Sequence, residues 1–369
     1  MRLGYLVHNL NDAAVERRCR MLEAGGAQVT PAGFCRDAEV ADALASRGAF
    51  SLGQSHDAAM AQRALATAKN ALFGGQLRAH FQHCDILIAR NLEQLAIASR
   101  IADGRPLVYE CLDIHRALLG RSLAAKAVQT VEGLLLPKCD LLITSSPAFI
   151  RNHFNHRPLD AEAVLVENKV LLDPIDAPLA PRAERPSDRP ITVAWFGMLR
   201  CKRTLEFLSD LVARSEGQIE VLIAGKPSPA ELPDFESRVG SVSGINYLGP
   251  YSYSDLPELY AKCDFAWSID WFEEGLNSKW LLPNRLYEAI AFGAVPIALA
   301  EVEVGNWLHR HEAGLVVGNA NEAADALRAM HKVRLASLQT EIAAIKEAEL
   351  VCRLPECRAL VDRLSGLRQ

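Results

Sequence analysis

Leu282-Pro283-Asn284-Arg285-Leu286-Tyr287-Glu288-Ala289-Ile290-Ala291-Phe292-Gly293-Ala294-Val295-Pro296-Ile297 reads as a turn, a short helix, a glycine stop and a buried strand. Asn284 sits where a side chain caps free N–H groups. Leu286, Ala289, Ile290 and Gly293 share one helical face that presses on a sheet. Gly293 stands at the position of a C-terminal glycine. Val295 to Leu299 is the apolar run of a strand covered on both faces. Asn284, Arg285 and Glu288 are the polar exceptions around the helix start. An arginine beside a helix N-terminus is an anion site. A carboxylate one turn further in accepts hydrogen bonds from sugar hydroxyls, so the three together suit a phosphate and a ribose.

The spacing of helix, glycine, proline and strand resembles the "LPNKLYEYLAxGxPVI" segment of bacterial GT-B glycosyltransferases, especially relatives of glycosyltransferase family 4. The resemblance implies that Glu288 binds the ribose of a nucleotide-sugar donor and that the preceding helix end faces its diphosphate. It also implies a GT-B fold: α/β, two Rossmann-like domains facing across a cleft, with the C-terminal helix returning to the first domain.

The chain's 369 residues are enough for two domains, and half of them are hydrophobic. A net charge of −5 gives no support to a nucleic-acid partner. Nine cysteines at no repeating spacing, several beside apolar runs, suit buried thiols in a reducing compartment rather than a zinc site. The opening MRLGYLVHNLND is too short and too soon broken for a signal peptide, and no run of about 18 apolar residues suggests a membrane span. The expectation is a cytoplasmic protein, with peripheral contact at the inner face of the cell membrane left open.

Leu3 to Val7, a helix over 13–24 and a strand from Gln28 form a βαβ opening. It lacks GxGxxG, so dinucleotide binding in the usual Rossmann manner has no support. Where the family often has glycines, the first loop carries Asn9, Asn11 and Asp12, taken as acceptor-side candidates. Residues 54–82 look largely helical. Their polar side is basic and has no carboxylate after Asp57, which fits either a solvated face or a membrane-facing helix. The strand Pro106 to Cys111 ends just before Asp113 and His115. Strand C-terminal ends are where α/β sheets place ligand residues. Either residue suits a general base, and the family resemblance places them at the catalytic centre; a capping Asp and a surface His are the ordinary reading. Leu118 to Leu136 reads as one long helix.

Prolines 174, 178, 181, 186 and 190 mark a linker over 173–190. The first domain is then 1–172 with a returning helix over about 353–369, and the nucleotide-sugar domain is 191–352. In the latter, a turn from Gly197 to Arg203 separates the strand Ile191–Phe196 from a helix beginning at Thr204. Arg200, Lys202 and Arg203 in that turn make an electropositive pocket at a helix start. The turn resembles the family's diphosphate-neutralising loop. A Gly-Pro-Tyr turn places Tyr251 where relatives rest the nucleobase, ahead of a helix capped by Ser254. No Asp-x-Asp metal motif appears, so no metal and no cofactor is expected beyond a nucleotide diphosphate sugar as co-substrate. Family 4 enzymes often carry a second Glu eight positions before the ribose-binding one. Here that position is Trp280; Glu273 and Glu274 come too early unless the loop is longer, which leaves Asn277, Ser278 or Lys279 as candidates for the missing role. The expected activity is transfer of a sugar to a glycan or lipid-linked acceptor hydroxyl. A nucleotide-sugar epimerase and a non-catalytic binding subunit are the rival readings.

Overall fold

A computed structural model describes residues 1–35, 48–54, 75–179 and 189–368. The chain divides into two units. The first comprises Met1–Glu167, Asp173–Asp176 and Cys352–Gln369; the second comprises Asn168–Leu172 and Ala177–Val351.

The first unit holds a seven-stranded parallel sheet of β1 (Arg2–Val7), β2 (Gln28–Cys35), β3 (Phe50–Gln54), β4 (Ile86–Arg90), β5 (Leu107–Cys111), β6 (Leu141–Thr144) and β7 (Glu162–Leu165). Their spatial order is β3-β2-β1-β4-β5-β6-β7, so the order reverses between β1 and β4. Helix α1 (Ala13–Ala24) follows β1, capped by Asp12, whose carboxylate accepts from the Ala14 N–H at 2.9 Å. The expected long helix over 118–136 is two. A four-residue helix, Arg116–Leu119, stops at Gly120, and α2 (Leu123–Leu135) starts afresh because the Ser122 hydroxyl accepts from the Ala125 N–H. Of the basic segment 54–82, residues 55–74 lie outside the described residues, and Gly75–His80 is helical.

A buried ionic knot lies inside this unit. Glu110, on β5, accepts from Arg18 Nε at 2.6 Å through Oε1 and from the Tyr5 hydroxyl through Oε2, which lies 3.9 Å from Arg90 Nη1. All four side chains are buried. No alternation in the sequence marks them, because strands β1, β4 and β5 are buried on both faces.

The second unit restarts the pattern with β8 (Ile191–Leu199), β9 (Ile219–Pro227), β10 (Ile245–Tyr247), β11 (Phe265–Trp267), β12 (Val295–Leu299) and β13 (Leu315–Val317), all parallel. The order β10-β9-β8-β11-β12-β13 reverses between β8 and β11. Two sequence expectations shift here. The strand reaches Leu199 and helix α3 (Lys202–Ala213) begins at Lys202, so the expected turn shrinks to Arg200-Cys201. The cause is the β8–β9 register, which stays paired out to Leu199↔Pro227. That pairing passes through Gly197↔Gly225, where a Cβ on Gly225 would overlap the Gly197 carbonyl oxygen and φ is +137°. Gly225→Ala is expected to cost roughly 2–3 kcal/mol, read as a lowered urea midpoint. An unchanged midpoint would show that the two strands separate there freely.

Helix α4 (Asn284–Ala291) is capped by the backbone of Pro283, not by the Asn284 side chain. The ring holds Pro283 extended, its carbonyl accepts from Leu286 N–H at 3.1 Å, and Asn284 becomes the first helical residue. Gly293, at φ +85°, ends the helix as expected. Earlier in this unit, Ser252 rather than Ser254 caps the helical segment 253–261, through a capping box with Asp255. Finally α5 (Leu354–Ser365) packs on α1 within the first unit, close enough that a Cβ on Gly25 would overlap the Cys357 carbonyl.

Candidate active site

The second unit gathers polar groups where its strand order reverses, the position at which parallel α/β sheets bind ligands. A hollow there is lined by Trp195 and Met198 of β8, Arg200 and Cys201 of the connection, Thr204 of α3, Ile269 and Asp270 after β11, and Arg285 of α4. Arg285, Ile269 and Asp270 also line an adjoining hollow with Ser268, Ser278 and Pro283. Arg285 thus stands between the two, with Nη1 3.5 Å from the Trp267 carbonyl. Helix α3 begins at this hollow without a side-chain cap, since Cys201 makes no cap hydrogen bond. Its first turn carries cations and no carboxylate, the reverse of what the helix dipole favours unless an anion is held there.

Glu288 lies one turn into α4 and is buried. It is close enough to Tyr251 and Tyr260 to act on both. Burial, then the Glu288 charge, pushes the Tyr251 hydroxyl far above the usual tyrosine range, with Arg285 opposing. Tyr251 stands 34 residues before Arg285 and 37 before Glu288 in the sequence, yet the three form one electrostatic group.

Arg200, between β8 and α3, and Lys202 and Arg203, in the first turn of α3, are held differently. Arg200 lies over the Phe272 ring at 4.4 Å and lines the hollow. Arg203 lies over Trp271 at 4.4 Å and pairs with Glu274. Lys202 is exposed, 3.8 Å from Glu206. Trp271 is itself anchored on Phe207, ring centroids 5.8 Å apart, and Phe207 stacks on Trp267. The post-β11 loop is therefore an aromatic shelf under two arginines. Of the candidates for the missing second Glu, Lys279 pairs with Glu301 at 3.1 Å and Ser278 accepts from the Glu273 N–H, while the earlier Glu274 is engaged by Arg203.

Sequence reasoning missed Thr204, Ser268 and Asp270. The Thr204 and Ser268 hydroxyls are buried and have no hydrogen-bond partner among the described residues, and both residues line the hollows. The available signal was position: Ser268 and Asp270 directly follow the short strand Phe265–Trp267.

In the first unit, Asp113 and His115 are exposed just past β5. His115 Nδ1 accepts from the Ala117 N–H at 3.2 Å, capping the helix Arg116–Leu119. A neutral ring that accepts at Nδ1 carries its proton on Nε2, so its outward nitrogen donates. In the first loop, Asn9 is buried and accepts from Asn11 N–H at 3.1 Å, and Asp12 lies 3.2 Å from His8 Nε2 besides capping α1. Burial alone would raise the Asp12 carboxyl, but the hydrogen bond from His8, the Arg90 charge and the Ala14 N–H hold it well below the usual range. Asp12 is thus occupied by the fold, while Asn11 is exposed.

Among the described residues no helix is long and apolar enough to cross a membrane. Eight of the nine cysteines are buried, and all are free thiols.

A family model described as glycosyl transferases group 1 matches residues 190–332, the span that carries the second unit's site. Over its whole length the chain is 38% identical to the succinoglycan biosynthesis protein ExoL of Rhizobium meliloti (strain 1021), covering 94% of that protein. Among solved structures it resembles sucrose-phosphate synthase from Thermosynechococcus elongatus, with a TM-score of 0.73 at 14% identity, over 99% of this chain and 98% of that one. It also resembles Anabaena HepE in complex with UDP and glucose, with a TM-score of 0.68 at 14% identity, over 99% of both chains. At that identity the two structures speak for the fold, and the ExoL match carries the family: the chain belongs to the group 1 glycosyltransferases and is a glycosyltransferase with the GT-B fold.

Proposed function

We propose that the second unit holds a nucleotide diphosphate sugar at the β8–β11 reversal and that the enzyme passes the sugar to an acceptor hydroxyl during synthesis of an extracellular polysaccharide, as the name of the relative ExoL suggests. The observation that carries this reading is the convergence of Arg200, Arg285 and the uncapped start of α3 on one hollow. Those groups neutralise the diphosphate, and the Thr204 hydroxyl donates to a phosphate oxygen. Glu288 accepts from the ribose hydroxyls, and Tyr251 lies beside it toward the base. In the reaction the acceptor oxygen bonds to the anomeric carbon as the sugar–phosphate bond breaks. The nucleoside diphosphate leaves with the bonding electrons, and the acceptor proton passes to a base. Asp113 fits that base better than His115, whose outward nitrogen carries a proton while Nδ1 caps a helix. His115 fits a donor to a sugar oxygen, and Asn11 an acceptor-side contact. Leaving-group charge is met by fixed cations and a helix dipole, with no metal assigned a role.

The test is thermal unfolding against nucleoside diphosphates with and without Mg²⁺, beginning with UDP, the nucleotide in the HepE crystals. Binding to the folded state must raise the midpoint. A selective rise without metal supports the reading. No rise with any nucleotide overturns it. Arg200→Ala is expected to raise the donor KM about tenfold or more, since a charge-assisted contact to phosphate is lost. Lys202→Ala, whose ammonium is exposed and faces Glu206, should change it far less. Equal effects would reject the assignment of Arg200 to the diphosphate.

A further inference from the structure

We propose that the outer face of α2 is the surface by which this protein lies on an anionic lipid bilayer. The inner face of this helix, Ala125, Glu132 and Leu135, is buried. At 100° per residue Leu123, Ala127 and Leu134 fall opposite that face, at the point farthest from the core, with Val131 beside them. They do not turn inward: Leu123 is 85% exposed, Leu134 66% and Val131 44%. Three of the seven exposed large hydrophobic side chains among the described residues thus stand on one helix face. From Leu123 to Leu134 the stripe runs about 16 Å along the helix.

The charges around the stripe decide its partner. Between Arg116 and Lys138 the exposed charged residues are Arg116, Arg121, Lys126 and Lys138, all cations. The one carboxylate in that span, Glu132, is turned into the core, where His153 Nε2 at 2.9 Å and Arg157 Nε at 3.4 Å hold it. The exposed carboxylates Asp113 and Asp140 stand just outside that span. Within it, an apolar stripe flanked by cations is the pattern of a helix lying in a membrane interface: leucines enter the acyl boundary while Lys and Arg meet anionic headgroups. A second copy of the chain is a poor fit, because a two-fold contact sets the same patch against itself and brings like charges together. The inference is independent of the donor-site assignment. It would bring an acceptor carried on lipid within reach of the first unit.

The experiment is co-sedimentation of the full chain with vesicles of phosphatidylcholine, with and without phosphatidylglycerol. The expected result is binding to the phosphatidylglycerol vesicles that weakens with salt. Changing Leu123→Ser together with Leu134→Ser should lower the vesicle affinity about tenfold or more, because two inserted side chains are lost. Thr130→Glu leaves both leucines in place and adds a carboxylate to the same face; it should weaken binding as well, so the outcome does not hang on how one variant folds. The proposal is overturned if the wild type stays in the supernatant with both vesicles, or if neither variant changes its affinity. It is equally overturned if sedimentation velocity shows a dimer that the leucine variant abolishes, which would give the face to a second copy.

Discussion

Glu110→Ala should destabilise the first unit by about 3–5 kcal/mol, because it leaves Arg18 and Arg90 buried without their shared carboxylate. All five tryptophans, Trp195, Trp267, Trp271, Trp280 and Trp307, belong to the second unit. Tryptophan fluorescence therefore follows that unit, while far-UV circular dichroism follows both. The loss should appear as a dichroism transition moved to lower urea ahead of the fluorescence transition. Coincident transitions at the wild-type midpoint would show that the knot contributes nothing net.

The same residue gives a pH prediction. Burial alone would raise the Glu110 carboxyl, but the charges of Arg18 and Arg90 and the hydrogen bonds from Tyr5 and Arg18 hold it below the ordinary glutamate value. A carboxyl depressed in the folded state contributes stability that is present above its unfolded value, about 4.3, and is lost as pH falls through the lower folded value. The wild type should therefore lose stability on acidification below that point, and the alanine variant should show a shallower acid limb.

Glu288→Gln should lower kcat/KM for the donor about a hundredfold, chiefly through a higher donor KM, with the acceptor KM little changed. Glutamine keeps the shape but presents an N–H where a ribose hydroxyl must donate, and a buried polar mismatch of that kind is worth several kcal/mol. The nucleotide-induced rise in melting temperature should shrink with it. If Glu288 serves only to hold Tyr251 and Tyr260, the variant would instead melt lower while the nucleotide still raised its midpoint by the wild-type amount. That outcome would remove Glu288 from the donor site.

Much of the architecture was legible because both sheets are parallel and buried on both faces. Runs such as Leu3–Val7, Ile86–Ala89 and Val193–Phe196 must then read as unbroken apolar stretches with helices between. Helix α4 with its Gly293 stop was equally plain, since a left-handed residue after an amphipathic turn has a local cause. Boundaries that depend on a neighbour were not. The Gly197–Arg203 turn proved to be strand and helix because a paired strand, β9, continues alongside it.

For the site, local chemistry pointed to Arg200, Arg285 and Glu288, each at a helix start or one turn beyond it. It could not show that the first two line one hollow, that Phe272 and Trp271 carry Arg200 and Arg203, or that Thr204 and Ser268 keep unpartnered hydroxyls there. Nor could it show that Asp12 and His115 are engaged as helix caps. What the sequence alone determined was the alternation and the residue types at strand ends and helix starts, because these follow from short-range periodicity and capping; the family was legible only as a resemblance carried by the motif at 282–297. The reversal of strand order that gathers residues 195–204, 268–270 and 285, the burial of Glu110 between two arginines and the outward turn of Leu123 and Leu134 were decided only by tertiary packing. Each depends on which segments lie side by side, and no local pattern encodes that.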